Sequence, residues 1–235
     1  MPASLSYTIY SISDIALTID FGTEISEEIN LFVLSLYEVF RQHPIPGVLE
    51  IVPAYSSLTV YYDLFSLKKT VPVGMTVFDW ICGQLTEWLS AGRNITAPPS
   101  RTIRIPVCYE TEFGPDSHLI MTERNLSLDD LVHLHCARRY RVYMLGFLPG
   151  FPYMGEVDEQ LATTRKPRPQ MVAAGSVGIA GRQTGIYPLA SPGGWQIIGR
   201  TPLRIFDAER EHPAYLQPGD TVQFYSISRY EFERY

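Results

Sequence analysis

Between Gly146 and Gly219 the apolar runs of this chain are short, and Gly or Pro interrupts nearly all of them. Eleven of the seventeen glycines fall in this stretch. Short apolar runs separated by turn residues are the mark of a β-barrel or sandwich, not of βαβ units. Glycines also let backbone amides approach a ligand closely. The second half of the chain is therefore expected to be mainly β, with a preformed binding surface among its turns.

The first half reads differently. Residues 5–10 and 15–21 alternate polar and apolar side chains, as two short strands would. Ser26 is a natural N-cap, and Ile29, Phe32, Val33, Leu36 and Phe40 recur at helical spacing until His43–Pro44. Strands are expected at Val48–Val52 and Leu58–Tyr62. Thr76 and Asp79 open a second helix, whose apolar stripe includes Val77, Trp80, Ile81, Leu85, Trp88 and Leu89, with Gly92 as its stop. The order ββαββα predicts a small two-layer α+β domain over residues 1–97. Ala97-Pro98-Pro99-Ser100 reads as the boundary, with a mainly β domain over 98–235. There a strand is expected at Arg101–Tyr109, and a short helix over Asp116–Glu123. A capped helix should start at Ser127–Asp130 and a strand should cover Tyr140–Phe147. A closing strand is expected at Asp220–Ile227.

Charge divides the chain in the same place. The whole protein carries −6, and all of it falls in the first hundred residues, with ten acidic against four basic. The remainder balances fifteen against fifteen. No basic domain or stripe favours nucleic acid. Between Glu159 and Asp207 there is no acidic residue, while Arg165, Lys166, Arg168, Arg182, Arg200 and Arg204 stand there. Unopposed guanidinium groups attract carboxylate or phosphate, so this island predicts a small anionic ligand. Cys82, Cys108 and Cys136 are odd in number and lack CxxC spacing, which fits free thiols in a reducing compartment. No signal peptide and no run long enough for a membrane span is visible. Cytoplasm is the expected location.

Several chemistries lack their motifs. None of the three lysines follows a glycine, so there is no P-loop. Gly175, Gly178 and Gly181 do not make GxGxxG. His133 and His135, two apart on a helix, point to different sides, and no metal site is predicted. Ser176 lies in a glycine-rich turn without an identifiable base, which suits a hydrogen-bond donor better than a nucleophile. The groups favoured for ligand contact are Arg165, Gln183, Thr184 and the Gly175–Ser176 backbone. Tyr153, Tyr187 and Trp195 would supply flat walls, the alternative for each being barrel core. Gly193–Gly194 before Trp195 marks a turn that must come close to another strand or to a ligand.

The runs GFLPGFPYM, AAGSVGIAGRQTGIYP and SPGGWQIIGRTP carry a resemblance to a known family. So do Gly22, Asn30, Pro53, Tyr55, Tyr62–Asp63, Ile105–Val107, Gly114–Asp116 and His135. The chain resembles the family of 5-oxoprolinase B subunits. That family includes the Kip sporulation kinase inhibitors and allophanate hydrolase subunit 1, and is related to one half of the carboxyltransferase part of urea carboxylase. Ala173 stands where the family usually has proline, and Thr164–Arg165 where it has Pro-Arg.

The resemblance implies a cyclophilin-like β-barrel and one subunit of an ATP-dependent lactam hydrolase converting 5-oxoproline to glutamate. It implies C-type and A-type 5-oxoprolinase subunits as partners, and ATP bound by the assembled complex at a site this sequence does not locate. Arg165 would pair with the substrate carboxylate, and the Gly175–Ser176 amides would hold a developing oxyanion. His135, placed near the barrel mouth, and Ser176 are the candidate catalytic residues, with a hydrogen-bonded structural histidine as the alternative for His135. The alternative functions are a Kip-type inhibitor of a sporulation histidine kinase, or the carboxyltransferase-related half of an allophanate or urea carboxylase system.

Overall fold

The computed structural model describes residues 6–90 and 100–235. They form two compact units, Met1–Pro99 and Ser100–Tyr235. Gly92 and Ala97–Pro99, read above as a helix stop and a boundary, lie outside the described residues.

In the first unit, β1 (Thr8–Ser13), β2 (Ala16–Asp20), α1 (Glu27–Gln42), β3 (Val48–Pro53) and β4 (Ser57–Tyr62) follow in order, then α2 (Leu64–Lys68) and α3 (Val77–Ser90). The strands form an antiparallel sheet in the order β1-β2-β4-β3. Alternation in β4 buries Leu58, Val60 and Tyr62, which share one core with Leu17, Ile19, Val33, Leu36, Phe40, Ile81 and Leu85. Ser26 caps α1 by accepting from the Ile29 amide at 3.4 Å. Asn30, fully buried, donates to the carbonyls of Ala54 and Tyr55 and so ties α1 to the β3–β4 turn. Thr76 and Asp79 cap α3 reciprocally, at 3.0 and 2.6 Å. The ββαββα order holds with one addition. The single turn α2 forms because Asp63 accepts from the amides of Phe65 and Ser66, a local cap too short to leave a periodic signal.

The second unit opens with β5 (Thr102–Val107), α4 (Ser117–Arg124), α5 (Leu128–Ala137), β6 (Tyr140–Leu145) and β7 (Pro152–Gly155). A 3-10 turn at Glu159–Leu161 leads into β8 (Gln170–Val172), β9 (Ser176–Ala180) and β10 (Gln183–Ile186). The chain continues through β11 (Ser191–Gly193), β12 (Gln196–Arg200), β13 (Thr221–Ser226) and α6 (Arg229–Phe232). Seven strands form one sheet in the order β12-β9-β10-β7-β6-β13-β5, and β8 and β11 make a separate ribbon. The sheet rolls until its edges meet. Cys108, just after β5, and Arg200 of β12 exchange two main-chain hydrogen bonds of 2.9 Å each. Gly199 permits that approach: a Cβ there would stand 2.7 Å from Val107 Cγ1 and 2.8 Å from the Cys108 carbonyl oxygen. Ile105, Val107, Val142, Met154, Val177, Ile179, Ile186, Ile198 and Phe224 fill the interior. The mainly β barrel expected from the Gly- and Pro-broken runs is thus present.

The final strand is not the closing one. β13 lies inside the sheet, parallel to β5 and antiparallel to β6. Arg101 and Asp220 lock that parallel pair at its start through a bidentate contact, with Nε at 2.9 Å. The helix α4 falls where the short helix is expected, and α5 carries the full Ser127–Asp130 capping box.

Candidate functional site

Turns at one side of the barrel bring four aromatic rings together. Phe151 enters β7, Tyr153 lies within it, Tyr187 follows β10, and Trp195 precedes β12. Phe151 meets Tyr187 at 5.2 Å and Trp195 at 5.3 Å, both nearly perpendicular. Tyr153 meets Phe151 at 4.9 Å and Trp195 at 5.9 Å. Edge-to-face contacts of this kind add to plain area burial. Gly193 lies against the Tyr187 ring, where a Cβ would come 2.4 Å from the phenol oxygen, so only glycine lets β11 pass. Gly194 accepts from the Lys166 amide at 2.7 Å, which fixes the segment carrying Arg165 beside this wall.

Arg165 is exposed and has no ion pair among the described residues. Burial raises the phenol pKa of both Tyr153 and Tyr187, and the positive charge of Arg165 opposes that rise in each. The guanidinium therefore stands close to both rings. Gln183 is half-buried at the start of β10, opposite Gly155 of β7. Phe151, Tyr187 and Trp195 are nearly fully buried, so most of this cluster is barrel core, and Tyr153, half-buried, is the ring among Tyr153, Tyr187 and Trp195 that reaches the surface beside Arg165.

One member of the cluster was not foreseen. Phe147 meets Phe151 at 5.7 Å and Tyr187 at 6.4 Å, both at right angles. It is 62% exposed and holds φ at +65°. A bulky side chain in the left-handed region costs free energy, and such strain collects at functional positions. The signal was present in GFLPG, where an aromatic sits between a glycine and a Leu-Pro-Gly turn.

The other expected residues lie elsewhere. His135 is fully buried inside the barrel, away from the mouth where it was expected, with its ring stacked on Phe224 at 4.6 Å. Thr184, also fully buried, donates its hydroxyl to the Gly178 carbonyl at 3.2 Å, so it accepts from His135 Nε2–H at 3.1 Å. Nδ1 is then the acceptor for the Tyr109 hydroxyl, 2.7 Å away. Cys136 Sγ, 3.5 Å from the same phenol oxygen, extends the chain of contacts. Both ring nitrogens of His135 are thus occupied within the protein. Desolvation lowers its pKa to about 3, which keeps it a neutral member of a satisfied network.

The Gly175–Ser176 amides are also committed. Gly175 N–H donates to the Tyr187 carbonyl at 2.7 Å, and Ser176 N–H to that of Ala173 at 3.3 Å. An oxyanion would have to displace main-chain bonds to reach them. Ser176 is 4% exposed and belongs to the β9 ladder.

The fold also redistributes the positive island. Asp116 pairs with Lys166 at 2.5 Å, Glu156 with Arg182 at 2.7 Å, and Asp207 with Arg204 at 3.0 Å. Arg165, Arg168 and Arg200 remain without such a partner among the described residues. All three cysteines are free thiols. No group of three or more His, Cys, Asp or Glu among the described residues could hold a metal ion. No described helix is long and apolar enough to cross a membrane.

Known proteins resemble this chain in sequence and fold. The carboxyltransferase domain, subdomain C and D, matches residues 7–216. The 5-oxoprolinase B subunit of Bacillus subtilis is 40% identical over 235 residues, covering 99% of this chain and 98% of that protein. The protein of the same name from Escherichia coli is 42% identical over 180 residues, 76% of this chain and 78% of that one. In the crystal structure of TTHA0988, 91% of this chain superposes with a TM-score of 0.76 and 38% identity. The match spans only 40% of the TTHA0988 chain. The chain described here belongs to the family of the carboxyltransferase domain, subdomain C and D.

Proposed function

We propose that this chain is the B-type subunit of an ATP-dependent 5-oxoprolinase. In this reading it holds the ring of 5-oxoproline against the half-buried Tyr153, which Tyr187 and Trp195 back from the core, with the carboxylate on Arg165. The observation that carries the reading is likeness over almost the full length of both chains to a 5-oxoprolinase B subunit, 40% identical over 99% of this chain.

A five-membered lactam is a poor electrophile. ATP, as co-substrate of the assembled enzyme, would pass its terminal phosphoryl group to the lactam carbonyl oxygen and leave as ADP; water then adds to that carbon, the C–N bond breaks with the nitrogen taking a proton, and a second water releases the phosphate to give glutamate. This chain has no P-loop, and the nearest serine–histidine candidates, Ser176 and His135, are tied into the barrel. Phosphoryl transfer therefore falls to surfaces completed by A-type and C-type partner subunits. The work of this chain is to bind and orient. The fork of Arg165 suits a carboxylate in two-pronged contact, and the aromatic wall excludes water from one face of the ring. The free thiols fit a cytoplasmic location.

The test is to co-express this chain with A-type and C-type subunits, isolate the assembly and measure ADP release that depends on 5-oxoproline. Turnover is expected from the assembly and not from this chain alone. An assembly that turns over equally well without this chain would overturn the reading, as would one that forms but never responds to 5-oxoproline.

A further inference from the structure

A cleft lies in the barrel unit, and it shares no lining residue with the aromatic cluster. Its volume is about 360 Å³, and Ala174, Gly175, Pro188, Arg200, Thr201 and Arg204 line it together with Pro202, Leu203, Phe232 and Tyr235. Its charged side chains are both arginines. Asp207, which pairs with Arg204, is outside the lining.

Arg200 is held at three points. Its main chain is fixed by Cys108 at the barrel seam. Its Nε donates to the Ala174 carbonyl at 2.8 Å. Its guanidinium lies over the Phe232 ring, 5.9 Å from the centroid. Neither terminal nitrogen has an acceptor among the described residues. This is a preorganised fork with four N–H donors to spare, and little side-chain freedom is left to lose on binding. Arg204, more exposed, adds a second positive charge to the same cleft.

Two guanidinium groups suit a dianion better than a single carboxylate. The cleft is also larger than an inorganic ion needs, and Phe232, Tyr235, Pro188, Pro202 and Leu203 give its remaining walls flat or apolar surface. We propose that this cleft binds an organic phosphate, with the phosphate on Arg200 and Arg204 and its organic body against Phe232 and Tyr235. The assignment does not depend on 5-oxoproline as the substrate of the aromatic site.

The experiment is calorimetric titration of the full chain at low ionic strength with inorganic phosphate, adenosine monophosphate and ribose 5-phosphate. At least one organic phosphate should bind more tightly than inorganic phosphate. A preference between the two separates a nucleotide from a sugar phosphate. Arg200→Gln should weaken that binding by about tenfold or more, because charge-assisted hydrogen bonds are lost. Arg204→Gln should weaken it by about threefold, as its charge is shared with Asp207. Arg168→Gln removes an equal charge elsewhere and should leave the affinity unchanged. If Arg200→Gln fails to fold by circular dichroism, Arg204→Gln decides. The proposal falls if the wild type shows no saturable binding, or if inorganic phosphate binds as well as both organic ligands. It also falls if affinity survives in the folded arginine variants, or drops equally in Arg168→Gln.

Discussion

The Tyr109 hydroxyl lies 2.7 Å from Nδ1 of His135, deep in the barrel core, and Thr184 occupies the other ring nitrogen. The imidazole is therefore a neutral hydrogen-bonding bridge between α5 and β10, and its burial sets a pH dependence. Its folded pKa is lowered to about 3 from an ordinary 6.5. The unfolded chain thus takes up a proton as pH falls through 6.5, while the folded chain does not until about pH 3. Stability contributed by neutral His135 is complete above pH 6.5 and lost on acidification, at up to about 1.4 kcal/mol per pH unit. Urea unfolding at a series of pH values from about 7 to 5 checks this, since carboxylates titrate mostly below that range. His135→Gln should be less stable at neutral pH and should lose most of this slope. Equal slopes in both proteins would reject the assignment.

Arg165 should matter for ligand binding and little for folding. It is exposed and lacks an ion pair, so Arg165→Ala should change unfolding free energy by no more than about 0.5 kcal/mol. In the assembled enzyme the same change should weaken 5-oxoproline binding by about 1.5–3 kcal/mol, the range for hydrogen bonds to charged groups. Arg165→Lys should recover only part, because an ammonium cannot make the two-pronged contact. Calorimetry on the assembly measures both variants. Wild-type affinity in folded Arg165→Ala would move the carboxylate site to Arg168.

Phe147 offers a test that separates strain from contact. Its φ of +65° is costly for any side chain with a Cβ. Phe147→Gly should therefore be more stable than Phe147→Ala by about 0.5–1 kcal/mol, the reverse of the usual order for these residues. Both variants should weaken ligand binding at the aromatic site. Denaturant unfolding of the pair checks the order, and an alanine variant at least as stable as the glycine variant would count against strain at this position.

Gly199→Ala should destabilise the barrel by about 1–3 kcal/mol or more. The added methyl would meet Val107 Cγ1 and the Cys108 carbonyl oxygen at the seam, and a main-chain oxygen cannot rotate away. Thermal unfolding followed by circular dichroism measures the loss. A fully native melting temperature would mean that the seam tolerates a wider spacing.

Much of the fold was legible because its signals are local. The Ser127–Asp130 and Thr76–Asp79 caps act within four residues, and both helices begin where those pairs stand. Alternation in β4 directly names the residues of its core face. Other features depend on partners far along the chain. The parallel pairing of β13 with β5 joins residues such as Thr221 and Thr102 across the whole barrel, and no period in either strand announces it. The same holds for charge. A window without acids predicts an unopposed island only if the fold brings no acid to it, and here Asp116, Glu156 and Asp207 arrive from outside. Arg165 survives that test, and Lys166, one residue on, does not. Tyr153, Tyr187 and Trp195 do come together, but Tyr187 and Trp195 do so as barrel core, the alternative reading of these rings, and Phe147 joins them from the GFLPG run.

The bridge between Cys108 and Arg200 gives the barrel an unequal circumference. Along β5 and β13 six residue pairs hold adjacent strands together, whereas at the seam Cys108 and Arg200 form a single bridged pair. Parting the cylinder there would unroll the sheet without disturbing its other ladders. Deuterium should then enter the Cys108 and Arg200 amides by that local opening, well before it reaches Val177 or Phe224, which wait for the whole domain to unfold.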